Sequence, residues 1–298
     1  MLRMRARIGA LVRSKTALAA GVAVSVATPV VTLPSLPAVR MWPVLLGLVP
    51  WVIGKYVLCP LRWRVLTGRG LSRSWHLRAY AESELIGLLT PGHVGADVWR
   101  VTRLHGTGMS HGDAVLSVGA DRLVGAVGLI AFVAFAGMTL PTRMLLVAVA
   151  VGAAAILTVL VVRRLRPSLL PSVTLPGPRQ LVHGLVLSLG YQLSIAGLLL
   201  GTVAATGHTL SFWTALGAFG ASQLAGAIPG PHGASPRDAA LVVALAAFGV
   251  PWAAAAVAVA LKAALAWLPA LTLGGVSLLI FRRRFRHGHT PGDAVPAS

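Results

Sequence analysis

Acidic residues are scarce in this 298-residue chain: seven Asp and Glu stand against 26 Lys and Arg. Cysteine is scarcer still. Cys59 is alone, which excludes a disulfide framework and a cysteine-based zinc site. Charged residues of both signs amount to only 11%, where a soluble domain carries about 25%. Too little charge is present to cover a water-facing surface. No Walker loop, Gly-x-Ser-x-Gly elbow or dinucleotide fingerprint occurs. The nine histidines fall at no metal-ligand spacing. The chain is therefore expected to need no cofactor or metal, and a catalytic role is not expected of it.

What the sequence has instead is apolar length. Hydrophobic residues make up 56%, and runs at residues 16–33, 42–61, 114–138, 144–162, 180–206 and 252–281 approach the ~20 residues that cross a ~30 Å hydrocarbon core. Residues 16–33 follow a basic start, as in a signal peptide. No convincing small-residue cleavage site precedes Arg40, so the run reads as a retained first span. The net charge of +19 is unevenly placed. Eighteen cations lie before the first run, after the second, between the fourth and fifth, and after the last; only Arg40 and Arg143 lie in the alternate loops. That bias predicts a multi-pass cell-membrane protein with both termini in the cytoplasm. Its basic loops are suited to anionic lipid headgroups, and the same placement argues against a nucleic-acid partner. Oligomeric state is left open, a homo-oligomer included.

Two moderately apolar stretches fit no simple span, because each is broken midway. Leu89-Thr90-Pro91-Gly92-His93-Val94-Gly95-Ala96 and Ala227-Ile228-Pro229-Gly230-Pro231-His232-Gly233-Ala234 share the pattern apolar-x-Pro-Gly-x-x-Gly-Ala at an offset of 229 − 91 = 138. Each break is followed by a short helix and then a long span with one cation well inside it, Arg122 or Lys262. The duplication reads as an internal repeat. Proline removes a backbone donor and glycine admits positive φ, so a helix must end at each break. Irregular backbone at membrane depth survives only inside protein or beside a watery cavity. The predicted fold is all-α and polytopic: about six spanning helices plus two re-entrant hairpins, residues 79–105 and 211–248, in an inverted repeat. The chain is expected to form a single membrane domain over 1–298. Its parts are a basic N-terminus at 1–15, repeat halves at 79–138 and 211–281, and a basic tail at 282–298.

With loop cations set aside, Lys55, Arg100, Arg103, Arg122, Arg237 and Lys262 remain. A charge near the bilayer centre costs about 2.5–3.5 kcal/mol on insertion scales, so each needs a reason to be there. Arg122 and Lys262, at matching repeat positions, are candidates for an anion site. Arg100 and Arg237 follow the two breaks, where helix starts favour phosphate. Pro91, Gly92, Gly95, Pro229, Gly230 and Gly233 shape those starts. Lys55 is placed to snorkel toward the interface, and Arg103 reads as interfacial. Glu82 and Glu84, two apart, face different sides of a helix. Glu84 is the better candidate to pair with Arg122 or to carry a proton. Asp238 and Asp113 have capping-box spacing, and Asp238 is also a candidate substrate contact.

These residues resemble the lysylphosphatidylglycerol synthase transmembrane family, the flippase-like membrane region of multiple peptide resistance factors. The resemblance runs over roughly residues 42–281. It rests on Leu89-Thr90-Pro91-Gly92-x-x-Gly95 through Arg100, then Gly112 to Asp121-Arg122. In the second half it rests on Pro229-Gly230-x-x-Gly233, Gly249-Val250 to Lys262, and Trp267-Leu268-Pro269. Asp238 and Lys262 depart from the Glu and Arg usual in the family. The resemblance implies lipid translocation, with a phosphate-bearing headgroup held by Arg122, Lys262 and the helix starts near Gly95 and Gly233. A membrane enzyme or accessory subunit of lipid-linked sugar or aminoacyl-lipid metabolism is the alternative, and a non-catalytic envelope scaffold a third. The soluble transferase domain of the lipid-aminoacylating members is absent from these 298 residues.

Overall fold

The computed structural model describes residues 39–88, 94–135, 176–225 and 236–286, and the elements within them are helices. Helix α1 runs Met41–Thr67 and contains a π-helical turn at Gly54–Leu58. Helices α2 (Arg73–Leu88) and α3 (Val94–His105) flank the first break, and α4 (His111–Phe135) follows. Helix α5 spans Pro178–Ala205. Helices α6 (Phe212–Ala225) and α7 (Pro236–Ala247) flank the second break. Helix α8 runs Trp252–Pro269, passes through a π turn at Ala270–Gly274 and continues as Gly275–Arg286. Among the described residues four helices, α1, α4, α5 and α8, are long and apolar enough to cross a membrane. The predicted runs at 16–33 and 144–162, and Pro91, Gly92, Pro229, Gly230 and Gly233 of the breaks, lie outside the described residues.

Local chemistry sets several helix ends. Gly68 closes α1 with φ +66°, which a glycine adopts without steric cost. Ser110 Oγ accepts from the Asp113 amide at 3.1 Å, capping α4. Gln180 Oε1 accepts from the Gly177 amide at 2.8 Å, and Pro178 takes the first helical position of α5. Gly249, at φ +90°, turns the chain from α7 into α8.

Small residues decide how closely the long helices approach. A Cβ on Gly47 of α1 would sit 2.5 Å from the Gly197 carbonyl oxygen of α5; one on Gly201 would sit 2.5 Å from the Pro43 oxygen. Gly197 and Gly201 are four apart, the spacing that lets helix backbones touch in lipid. The main apolar core joins α5, α6, α7 and α8 through buried Leu198, Leu199, Phe219, Leu245 and Ala258. Large apolar side chains such as Trp42, Leu46, Val186 and Leu279 point outward, as a bilayer solvent permits.

The two π turns lie beside prolines. Pro60 follows the first by two residues and Pro269 directly precedes the second. Each proline lacks the amide that would continue the i→i−4 ladder, and the helix relaxes into a wider turn rather than breaking. Both turns meet α2. Lys55, in the first, pairs with Glu84. Gly274, in the second, lies so close that a Cβ there would be 2.6 Å from the Ala81 oxygen. The helices flanking each break also pack on one another, α2 on α3 and α6 on α7.

Gly47→Leu is expected to destabilise the protein by about 1–3 kcal/mol or more, because the obstructing atoms belong to the α5 backbone and cannot rotate away. Gly119→Ala, which meets nothing within 4 Å, should hold or raise the melting temperature. Thermal unfolding in neutral detergent compares the two.

Candidate functional site

The most buried charge among the described residues is Asp121, 0% exposed on α4. It lies on one α4 face with Ser117 and Gly125, at four-residue spacing. Its two oxygens are divided between two arginines. Arg62 Nε donates to Oδ1 at 2.7 Å and Arg100 Nη1 to Oδ2 at 2.8 Å. Arg62 also donates to Ser188 Oγ on α5 at 3.2 Å. The absence of a side chain at Gly125 makes room for that guanidinium, since a Cβ would lie 3.2 Å from Nη1. Arg100 lies over the rings of Trp63 and Tyr80 at 5.6 and 5.1 Å. One carboxylate thus ties α1, α3 and α4 together and reaches α5 through Arg62. Charge-assisted hydrogen bonds offset the desolvation of all three groups.

Outward from this triad the internal repeat reappears as a repeated ion pair. Arg122 Nη2 lies 3.0 Å from Asp97 Oδ1, and Lys262 Nζ lies 3.7 Å from Asp238 Oδ1. In each half the second helix of the hairpin presents an acid to the cation of the following long helix. The offsets agree: 238 − 97 = 141 and 262 − 122 = 140. Arg122 is 11 residues into α4 and Lys262 is 10 residues into α8. These are helix depths of roughly 16 and 15 Å, about half the ~30 Å core. The pairs differ in surroundings. Arg122 and Asp97 side chains are 49% and 35% exposed, whereas Lys262 and Asp238 are 15% and 12% exposed. Asp97 also accepts from Arg100 at 2.9 Å.

A third pair lies between the halves. Lys55 Nζ is 2.9 Å from Glu84 Oε2 and faces the rings of Tyr191 and Tyr80 at 5.8 and 6.0 Å. Lys55 is 14 residues into α1, about 21 Å along it, and does not reach an end of the helix. The position assigned to it by sequence, snorkelling toward the interface, is replaced by a pair with the acid that α2 brings to it. Tyr191 on α5 also lies within electrostatic range of Arg237. A belt of polar groups therefore runs from Glu84 and Lys55 past Tyr191 to Arg237, Asp238 and Lys262. Arg237 lies over the Phe219 ring at 5.6 Å and within electrostatic range of Asp238. Glu82, on the other side of α2, takes Arg103 Nε at 2.9 Å and Trp99 Nε1 at 3.1 Å. Arg103 in turn lies 4.1 Å from the Phe281 ring centre. Arg103, expected from the sequence to be interfacial, is a packed link between α3, α2 and α8.

The structure gathers Glu84, Arg237, Asp238 and Lys262 along this belt. Arg100 is held by Asp121 and Asp97, and Arg122 by Asp97 on a half-exposed face. Glu84 pairs with Lys55 rather than Arg122. Gly95 is buried in the first turn of α3. Sequence reasoning passed over Arg62, which it grouped with the loop cations because the apolar run ends at residue 61. Helix α1 continues to Thr67 and buries Arg62 to 6% exposure. A signal for it existed. Neighbours on a helix do not face one another, so Arg122 could not satisfy Asp121, and a buried acid required a cation from another element.

Among known proteins, the family model described as the lysylphosphatidylglycerol synthase TM region matches residues 7–274. No curated protein and no solved structure matches the chain.

Asp121→Asn should destabilise the protein by about 3–5 kcal/mol, because Arg62 would stay buried without a counter-charge and Arg100 would keep only the partly exposed Asp97. Asp113→Asn, at an α4 cap, should cost about 1 kcal/mol or less. Equal losses in thermal unfolding would refute the triad as the organising contact.

Proposed function

Because the chain belongs to the lysylphosphatidylglycerol synthase transmembrane family, we propose that it is a flippase-like transporter. It moves a phosphate-bearing lipid, or a lipid-linked substrate, between leaflets. The observation that carries this reading is the repeated acid–cation pair, Asp97–Arg122 and Asp238–Lys262, in which an acid of the short helix after each break meets a cation well inside the following long helix. Charges so placed are costly, and structural pairing alone does not account for duplicating them at the same repeat position.

In this reading the two hairpins are re-entrant and of opposite sense, and their breaks meet near the midplane. The headgroup enters between them, meets Arg122 and then follows the belt from Lys55 toward Arg237 and Lys262, while its acyl chains remain in lipid. The ion pairs give it cations that exchange one anion for another without crossing bare hydrocarbon. Rocking of the two halves alternates access, with the π turns of α1 and α8 as pivots against α2. Both termini face the cytoplasm of a plasma-membrane protein, where the basic loops hold anionic lipid close to the entrance.

Leaflet exchange of fluorescent phospholipids in proteoliposomes tests the proposal. Lys262→Gln and Arg122→Gln are expected to slow exchange by about 10- to 100-fold, the weight of one or two charge-assisted contacts to a phosphate. Folded variants that exchange lipid at the wild-type rate would rule out this path.

A further inference from the structure

The chain has three tyrosines, and all of them stand around one carboxylate. Tyr56 on α1, Tyr80 on α2 and Tyr191 on α5 each lie within electrostatic range of Glu84. The α1–α2 seam brings the first two there, because each step of four residues forward along α1 meets a step of four back along α2. Lys55 meets Glu84 at 2.9 Å, Cys59 lies beside Tyr80, and the Trp63 ring is 5.1 Å from that of His76. Lys55 and Tyr56 both belong to the π turn of α1, a widened turn of the kind that recurs at functional sites. Glu84 differs in kind from the acids of the triad. Asp121 and Asp97 are each held by two arginines. A guanidinium only donates and keeps its charge, so both carboxylates are locked in the ionised form. Glu84 instead pairs with a lysine, a point charge on a flexible stem, among phenol hydroxyls that can donate or accept. Such surroundings serve a carboxylate and a carboxyl equally. Arg100 on α3 is also within electrostatic range of Glu84, but Asp121 and Asp97 hold it.

We propose that Glu84 is a proton-binding site, and that a proton on Glu84 and an anion beside Lys55 are taken up and released together. The proposal rests on the transport reading above and adds the ion to which movement of the lipid is coupled. In the resting pair the two charges cancel. When Glu84 takes a proton from water its carboxylate becomes a carboxyl, and Lys55 is left with one positive charge. A lipid anion passing along the belt cancels that charge. When the anion leaves, the carboxyl returns its proton to water and the pair re-forms. Neither stage leaves a sheltered charge uncompensated. Linkage makes the effect mutual: the proton strengthens anion binding, and the anion strengthens proton binding by the same factor. A monoanionic lipid and its proton together carry no net charge. The coupled step therefore responds to a pH gradient and not to membrane potential, which acts only on net charge moved.

The test titrates the full chain, in weakly buffered neutral detergent near neutral pH, with short-chain phosphatidylglycerol while a pH-indicator dye counts protons. About one proton is expected to be taken up per lipid bound. Glu84→Gln, which cannot ionise, should take up none, whereas Arg179→Gln, on the exposed start of α5, should match the wild type. In proteoliposomes a gradient of about one pH unit should drive fluorescent phosphatidylglycerol to a leaflet ratio of about ten, richer on the alkaline side, the equilibrium for one proton per lipid. A potassium–valinomycin potential should leave that ratio unchanged. No proton uptake at saturating lipid, uptake that persists in Glu84→Gln, or exchange that ignores the pH gradient would each overturn the proposal. If Glu84→Gln does not fold, infrared difference spectra of wild-type protein carrying ¹³C-labelled glutamate assign the proton. The chain has two glutamates, and Arg103 holds Glu82, so a labelled carboxyl band that rises with lipid reports Glu84 and its absence sinks the site. Proton uptake without leaflet exchange sinks transport alone, and exchange without uptake sinks the coupling alone.

Discussion

An ionised side chain inside a membrane protein must be neutralised by a neighbour or by water, and here the acids are the limiting partners. Interior carboxylates are consequently shared. Asp121 takes Arg62 and Arg100, Asp97 takes Arg100 and Arg122, and Glu82 takes Arg103 together with the Trp99 indole. Sharing fixes geometry. An acid that serves two helices at once determines their depth and rotation relative to its own, which isolated apolar contacts between small residues cannot do. The Asp121 triad is the strongest case, because it joins α1, α3 and α4 where all three groups are almost wholly buried.

Around that anchor the protein combines duplication with imbalance. The hairpin–long-helix unit occurs twice, and each copy places an acid against a cation at similar depth. The first copy's pair is half-exposed and linked to the triad, so that Arg62, Arg100 and Arg122 share Asp121 and Asp97. The second copy's pair is more sheltered, and the Lys55–Glu84 pair and Tyr191 stand between the copies.

Mobility and rigidity are also distributed unevenly. The α1–α5 seam is made by backbone-to-backbone approach at Gly47, Gly197 and Gly201, and such contacts tolerate little sliding. Helix α2 is held differently, by a single ion pair from one π turn and a glycine contact from the other.

The membrane class, the apolar helices at residues 42–61 and 180–206 and the family were legible in the chain alone. Each is a property of composition or of spacing along one segment. The cap at Ser110 and the divergence of Glu82 from Glu84 were legible for the same reason, since both follow from helical periodicity. Which cation meets which acid was not. Lys55 pairs with Glu84, and Arg62 turns inward to Asp121, because α1 extends beyond its apolar run and passes α2 and α4 at a particular rotation and depth. Sequence spacing measures position along a helix, whereas an ion pair between helices depends on how two helices are set against each other. Only the tertiary structure, through the glycine seams and the shared carboxylates, decided that.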